Sequence, residues 1–345
     1  MRAVVIHAPL DLRIESVNTP PLEAHQVLVR VGAGGICGSD LHYYQHGGFG
    51  LVRLKEPMIL GHEIAGTVES VGEAVTRIQA GMRIAINPSQ PCRLCRFCLE
   101  GTPNHCVDMR FYGSAMRFPH VQGAFREQLV IDQAQAVPIS DATPMGIAAT
   151  AEPLAVGLHA IHQAGDVMGK RVLVTGCGPI GALLIGALRR AGAAEIVAVD
   201  LAAAPLECAL RMGADRVINI AEETDALSAN ARDKGYFDVV FEASGAEKAL
   251  RSALECLRPR GVVVAIGLGG ECNLPMTMIV AKELELRGSF RHYKEFEQAA
   301  LFLDKGLIDV RPVLSESIPF ENASEAFQLA SDRAKAGKVQ LSFNG

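Results

Sequence analysis

The sequence predicts an α/β protein in two parts, a small β-barrel-like domain followed by a parallel, doubly wound sheet. Three observations carry this. Residues 2–7, 26–31, 64–71, 82–87 and 127–131 are short β-like runs broken by turns, with little helical periodicity between them. Beyond Glu152 the rhythm changes. Apolar runs at 171–175, 195–200, 216–219, 237–242 and 261–266 alternate with helical stretches, one ending at Arg190 and another at 205–212, and 284–290 reads as a sixth strand. Such alternation means parallel strands joined by crossover helices. The third observation is length: 345 residues suit two domains, and 34 glycines and 17 prolines fall in patches where short strands must turn.

The tail beyond about residue 295 holds two amphipathic helices and a closing strand at 338–343. It has no Gly-rich turn of its own and is expected to return to the first domain. The predicted division is therefore 1–152 with 295–345 against 153–294.

Composition excludes several classes. A net charge of −5 with no Lys/Arg run gives no basic surface for nucleic acid. The opening residues are too short an apolar run for a secretory signal. The longest uncharged run, from Arg171 to Arg189, is interrupted by Gly176, Gly178, Pro179 and Gly181 and falls below membrane-spanning length. A cytoplasmic protein with no membrane partner is the expectation.

Nine cysteines without a secretion signal are weighed first as metal ligands. Cys92, Cys95 and Cys98 stand at C-x-x-C-x-x-C spacing, with Cys106 after seven intervening residues. Four thiolates can wrap one tetrahedral zinc and leave no open position, which makes the site structural. An iron–sulfur cluster also suits four thiolates; zinc is favoured because no other redox feature accompanies the loop. Cys177, Cys208, Cys256 and Cys272 are scattered in apolar surroundings and are expected to fill core.

A second metal site is drawn from three separate stretches. Residues 34–44 bring Cys37, Ser39, His42, Tyr43 and Tyr44 close together; Gly61-His62-Glu63 follows, and Ala151-Glu152-Pro153-Leu154 comes later. Cys37, His62 and a carboxylate make a three-ligand set that leaves a fourth position for water or an alcohol. Such a zinc lowers the pKa of a bound alcohol. Either Glu63 or Glu152 can complete the set. Ser39 and His42 fit a relay that passes the alcohol proton through a hydroxyl to an imidazole and on to water; Ser39 as a helix cap is compatible with it.

Gly176-Cys177-Gly178-Pro179-Ile180-Gly181 matches G-x-G-x-x-G, follows a strand, opens a helix, and has Asp200 19 residues beyond Gly181 at the end of the next strand. Glycines there permit a tight turn and close approach of a pyrophosphate seated at the helix N-terminus. Asp200 would accept hydrogen bonds from the adenosine ribose and repel a 2′-phosphate, favouring NAD over NADP.

Taken in this order, the two zinc motifs, the nucleotide turn and the Glu152-Pro153-Leu154 element resemble the zinc-dependent medium-chain alcohol and polyol dehydrogenases over essentially the whole chain. The sorbitol dehydrogenase branch is the nearer one, because Glu152 stands where other branches carry cysteine. The resemblance implies a GroES-like catalytic domain followed by a Rossmann domain, one catalytic and one structural zinc per chain, and a homo-oligomer, dimer or tetramer. It matches Cys37, His62 and Glu63 to the zinc ligands, with Glu152 as ligand or water-holder. Tyr43, Glu152 and Arg291 match positions that meet the substrate. Gly176, Gly178, Pro179, Ile180, Gly181, Asp200, Ile266, Gly267, Leu268, Ser289, Phe290 and Arg291 match cofactor contacts. Pro205 departs from an arginine that the branch carries near the ribose, so NADP stays within reach.

Stretches 34–45, 85–89, 108–116, 118–121 and 287–291 resemble the members of this family that act on a sugar acid. They imply reversible oxidation of L-idonate to 5-keto-D-gluconate with NAD(P). A sugar acid brings a carboxylate, for which a guanidinium is the natural bidentate partner. Arg110 and Arg291 are the candidates, with Phe111 beside them and Arg117 a weaker third. A neutral polyol such as sorbitol or xylitol is the alternative substrate. An NAD-binding structural protein that has lost its chemistry is the alternative class.

Overall fold

A computed structural model describes residues 1–223, 225–332 and 336–343. The first part is a seven-stranded sheet. Its path runs Ala136–Ile139, Arg83–Ile86, Glu63–Val71, Gln26–Gly35, Lys338–Ser342 and Leu314–Pro319, and Gln128–Asp132 also pairs with Gln26–Gly35. The long strand Gln26–Gly35 is the spine. Val27, Val29 and Val31 point inward with no exposure while Arg30 faces water, the period-2 alternation of a half-buried strand. Its inward face meets Ile64, Ile84, Phe125, Phe327 and Leu341 in one apolar cluster. A smaller sheet of Arg2–Ala8, Asp11–Ser16 and Met58–Ile59 flanks it.

The second part is a six-stranded parallel sheet in the order Arg216–Asn219, Glu195–Asp200, Arg171–Thr175, Phe237–Glu242, Leu257–Ala265, Glu285–Gly288. Strand order reverses between Arg171–Thr175 and Phe237–Glu242, and the carboxyl ends of these two strands form the crevice where ligands of such sheets bind. The strands are apolar on both faces because helices cover both. The fifth strand begins four residues before the expected run at 261. Leu257 already pairs with Phe237 across a bulge, and Lys282 Nζ donates to the carbonyls of Leu254, Glu255 and Leu257.

One element escaped the sequence reading. Helix Ala151–Ala164 has eleven buried residues, so its apolar character runs round most of its circumference and shows little contrast. It packs on the helices Pro179–Arg190 and Glu295–Asp304, and the first of the tail helices therefore lies in the same core as the parallel sheet. The last strand behaves otherwise: Lys338–Ser342 pairs antiparallel with Ala33, Gly34 and Gly35 of the spine. Cys272 is also a correction. It is exposed in a Gly-rich loop after Ile266 and fills no core, whereas Cys177 and Cys256 are buried. No described helix is long and apolar enough to cross a membrane.

Candidate active site

The spine strand delivers the chain to Cys37, which caps helix Gly38–His46. The cap is reciprocal with Asp40: the Cys37 N–H donates to Asp40 Oδ2 at 3.0 Å. Cys37 rather than Ser39 holds the cap. Asp40, fully buried, also accepts from the Gly61 N–H at 3.1 Å, which pins the turn before His62 against the helix start. Glu63 opens the neighbouring strand directly opposite Gly35. A larger residue there would displace the carboxylate, because a Cβ on Gly35 would lie 2.2 Å from Glu63 Oε2. Ligand atoms of Cys37, His62 and Glu63 consequently lie within 4.8 Å of one another.

The pocket is built to hold positive charge. Glu63 Oε1 accepts from Lys338 Nζ at 2.7 Å, and the same ammonium donates to the Ile36 carbonyl at 3.0 Å. Burial alone would lower the Lys338 pKa, but Glu63, Cys37 and Glu152 hold it above its ordinary value. Burial would also lower His62, yet Asp40 and Cys37 push it up to about 10. Glu63 Oε2 and His62 Nδ1 are buried without a hydrogen-bond partner. A cysteine sulfur, an imidazole and an orphaned carboxylate oxygen converging in a cation-seeking pocket are a donor set that fits zinc with one position open.

Glu152 sits in the first turn of helix Ala151–Ala164, buried beside this group. Its Oε1 is 3.5 Å from Nε2 of His292, whose side chain is also fully buried. Burial would raise Glu152, but His292 and His62 bring it below its ordinary value. The rim is aromatic and cationic. Phe111 lies 5.2 Å from the His62 ring, and the Arg291 guanidinium rests over Phe111 at 4.7 Å and over Phe290 at 4.9 Å. Tyr43 is buried behind them, its phenol oxygen accepting from the Ala115 N–H at 3.0 Å. Ser39 and His42 are three apart on one helix, hence on one side of it, and His42 is exposed.

The four cysteines of the second motif also converge within 4.8 Å. N–H groups point at sulfur throughout: Cys92 and Asp108 donate to Cys106 Sγ at 3.2 and 3.3 Å, and Cys95 donates to Cys92 Sγ at 3.3 Å. The backbone of Cys98 and Val107 lowers Cys95 to about 6, and burial pushes Cys98 up to about 12. All nine cysteines are free of disulfides. Four thiols with backbone N–H donors directed at sulfur fit a closed zinc site.

At the crevice of the parallel sheet, Gly176 has φ +87° and a Cβ on Gly181 would lie 1.9 Å from the Gly176 carbonyl, so turn and helix need both glycines. Gly178, by contrast, faces open space at the start of helix Pro179–Arg190. Asp200 is already oriented, accepting from the N–H groups of Cys177 at 2.7 Å, Leu201 at 2.7 Å and Ala202 at 3.2 Å. Ile266, Gly267 and Leu268 leave the fifth strand on the same side, and the Ser289 N–H donates to the Ala265 carbonyl at 2.9 Å.

The structure thus gathers Cys37, His62, Glu63, Glu152, Tyr43, Phe111, Phe290 and Arg291 round one cleft. Arg110 does not join them: it alternates with buried Phe111 on a two-residue strand and is exposed. Arg117 is engaged by Asp108. Three residues were missed: Asp40, Lys338 and His292. His292 could have been found beside Arg291, but nothing local marks Lys338.

Fold and site together define a zinc-binding alcohol dehydrogenase, and the chain belongs to that family. The alcohol dehydrogenase GroES-like domain matches residues 23–141, and the zinc-binding dehydrogenase family matches residues 179–305. Among its relatives is L-idonate 5-dehydrogenase (NAD(P)(+)) of Escherichia coli strain K12, 45% identical over 92% of this chain and 91% of the relative. A sorbitol dehydrogenase of Bacillus subtilis is 34% identical over 96% of this chain and 93% of its own length. The crystal structure of the E. coli L-idonate 5-dehydrogenase superposes with a TM-score of 0.94 at 42% identity, covering 99% of this chain and 97% of that one. A zinc-binding dehydrogenase from Sinorhizobium meliloti 1021 bound to NADP superposes at 0.89 with 28% identity over 99% and 98%.

Proposed function

We propose that this chain oxidises L-idonate to 5-keto-D-gluconate with NAD(P) and catalyses the reverse reduction. The observation that carries the substrate class is Arg291. Its guanidinium rests over the rings of Phe111 and Phe290 and feels the charge of Glu152, yet no carboxylate lies within salt-bridge distance among the described residues. A planar fork so placed suits a substrate carboxylate. The 45% identity to an L-idonate 5-dehydrogenase points the same way.

Zinc at Cys37, His62 and Glu63 would supply Lewis acidity toward the alcohol oxygen, and NAD(P) at the Gly176–Gly181 turn would accept the hydride. The protein's own residues handle the rest. Ser39 takes the hydroxyl proton and His42 passes it to solvent. Glu152, oriented by His292, accepts a hydrogen bond from a neighbouring substrate hydroxyl, while Arg291 fixes the acid end. Asp200 receives the adenosine ribose, and the backbone at 266–268 and 289–290 flanks the nicotinamide end.

We further read residues 1–152 with 295–345 as the metal-bearing unit, its helix Glu295–Asp304 packed onto the other half, and 153–294 as the nucleotide-binding unit, in a cytoplasmic homo-oligomer. The strand Glu285–Gly288 is the sheet edge, and exposed Met276, Val280 and Leu286 lie on or beside it, which supports pairing with a second copy.

The test is initial-rate reduction of NAD and NADP with L-idonate, D-gluconate, sorbitol and xylitol. Turnover centred on L-idonate, with KM raised in Arg291→Met, is the expected result. Turnover of the neutral polyols instead would remove the sugar acid and leave the dehydrogenase.

A further inference from the structure

We infer that the four-cysteine lobe acts as a positioning device for the substrate: Asn104 and His105 hold Phe290, and through it place the Arg291 guanidinium. The inference rests on the reading of Arg291 as the carboxylate partner.

Asn104 and His105 stand immediately before Cys106, the last cysteine of the lobe. Asn104 is buried, and its Nδ2 donates to the Phe290 carbonyl at 3.1 Å across a separation of 186 residues. The His105 ring stacks on the Phe290 ring with centroids 6.0 Å apart and planes 26° from parallel. One residue therefore has its carbonyl and its ring held by two neighbours on the metal lobe.

The next residue needs such support. Arg291 has φ +57°, a left-handed conformation costly for a side chain with a Cβ and persisting only where the surroundings enforce it. Its guanidinium is held by neighbours of the same kind: it rests over the Phe290 ring and over the Phe111 ring, and Nη2 meets Met116 Sδ at 3.1 Å. Phe111 and Met116 follow Cys106 by five and ten residues. Besides the charge of Glu152 and the Tyr43 phenol, the contacts on Arg291 and on the residue before it thus come from the segment 104–116, which begins in the four-cysteine lobe. A metal far from the reacting bond is in this way connected to substrate affinity.

The test is a double-mutant cycle on the zinc-loaded enzyme with Asn104→Leu, His105→Leu and Arg291→Met. Zinc per chain and the Kd for NADH, from its fluorescence, are measured beside the kinetics. In the wild-type background each lobe variant is expected to raise KM for L-idonate about tenfold, the scale of one misaligned charged hydrogen bond. Two zincs per chain and kcat are expected to hold, and His105→Leu, which leaves the hydrogen bond to the Phe290 carbonyl in place, is expected to keep NADH affinity as well. In the Arg291→Met background the same substitutions are expected to change KM little, since the group they aim is gone. An unchanged KM in variants that keep both zincs would overturn the inference, and so would an equal rise in both backgrounds. Should Asn104→Leu lose zinc, His105→Leu decides between these outcomes, because His105 is exposed and its loss leaves the lobe intact. Wild-type protein that fails to turn over L-idonate would instead remove the substrate assignment.

Discussion

Lys338 Nζ lies 2.7 Å from Glu63 Oε1 and 3.0 Å from the carbonyl of Ile36, so one buried ammonium spans the backbone before Cys37 and the side chain of Glu63, two of the three proposed zinc ligands. Lys338→Met leaves the Glu63 carboxylate buried and uncompensated. Partners behind a metal ligand are worth roughly 10–100-fold in metal affinity. The variant is expected to fall from two zincs per chain to one on dialysis against a mild chelator, as elemental analysis would show, with the four-cysteine zinc retained. Retention of both would separate Lys338 from metal binding.

Gly35→Ala attacks the same carboxylate from the other side. A Cβ there would lie 2.2 Å from Glu63 Oε2, and Glu63 is too deeply buried to step aside. Activity is expected to drop by on the order of a hundredfold, the scale for a catalytic group displaced by about an ångström. Thermal unfolding should shift by only a few degrees. An active Gly35→Ala protein would mean that Glu63 is not needed as a ligand.

We assign the choice of cofactor to Asp200. Its two oxygens are oriented by three backbone N–H groups, so the charge stands ready at the end of its strand. Replacing Asp200 by Ser removes the like charge that opposes a 2′-phosphate, a contact worth several kcal/mol, so the ratio of kcat/KM for NADP over NAD should rise about a hundredfold. No change in the ratio would assign cofactor choice elsewhere, with Pro205 the first position to examine.

Glu295 gives a pH dependence remote from the metal. It accepts from His159 at 3.1 Å and His162 at 2.8 Å, joining helix Ala151–Ala164 to helix Glu295–Asp304. Burial would raise its pKa, but the two histidines and the Tyr293 backbone bring it well below 4.5. A carboxylate depressed in the folded state stabilises above its ordinary value and loses that contribution as pH falls through the folded one. The Tm of the wild-type protein should therefore exceed that of Glu295→Gln near neutrality, and the gap should close on acidification below about pH 4.5. A gap that is constant with pH would mean packing rather than charge.

Local chemistry was legible in the sequence wherever one segment carries a whole function. The four cysteines declare themselves by spacing, and Gly176, Gly178 and Gly181 by their place between strand and helix with Asp200 beyond. The strands of the parallel sheet were equally readable, because burial on both faces leaves uninterrupted apolar runs. What stayed hidden depends on distant pairing. Whether Glu63 or Glu152 stands nearest Cys37 follows from the pairing of Gly35 with Glu63, and the charge that balances Glu63 arrives from a strand near the other end of the sequence. Arg110 misled for a related reason: adjacency to Phe111 along a strand places the two side chains on opposite faces. Helix Ala151–Ala164 was missed because a nearly all-apolar helix carries no stripe.

The Lys338–Glu63 pair closes a loop of 275 residues, with the whole nucleotide-binding sheet inside it. During synthesis Cys37, His62 and Glu63 leave the ribosome long before the ammonium that completes their pocket exists. Contacts of such separation form late, since the entropy of bringing the ends together must be met first. The four-cysteine lobe spans only residues 92–106 and can take up metal as soon as it emerges. A zinc at Cys37, His62 and Glu63 would accordingly be seated firmly only in a chain whose last barrel strand has already docked, after the four-cysteine lobe has had its chance to fill.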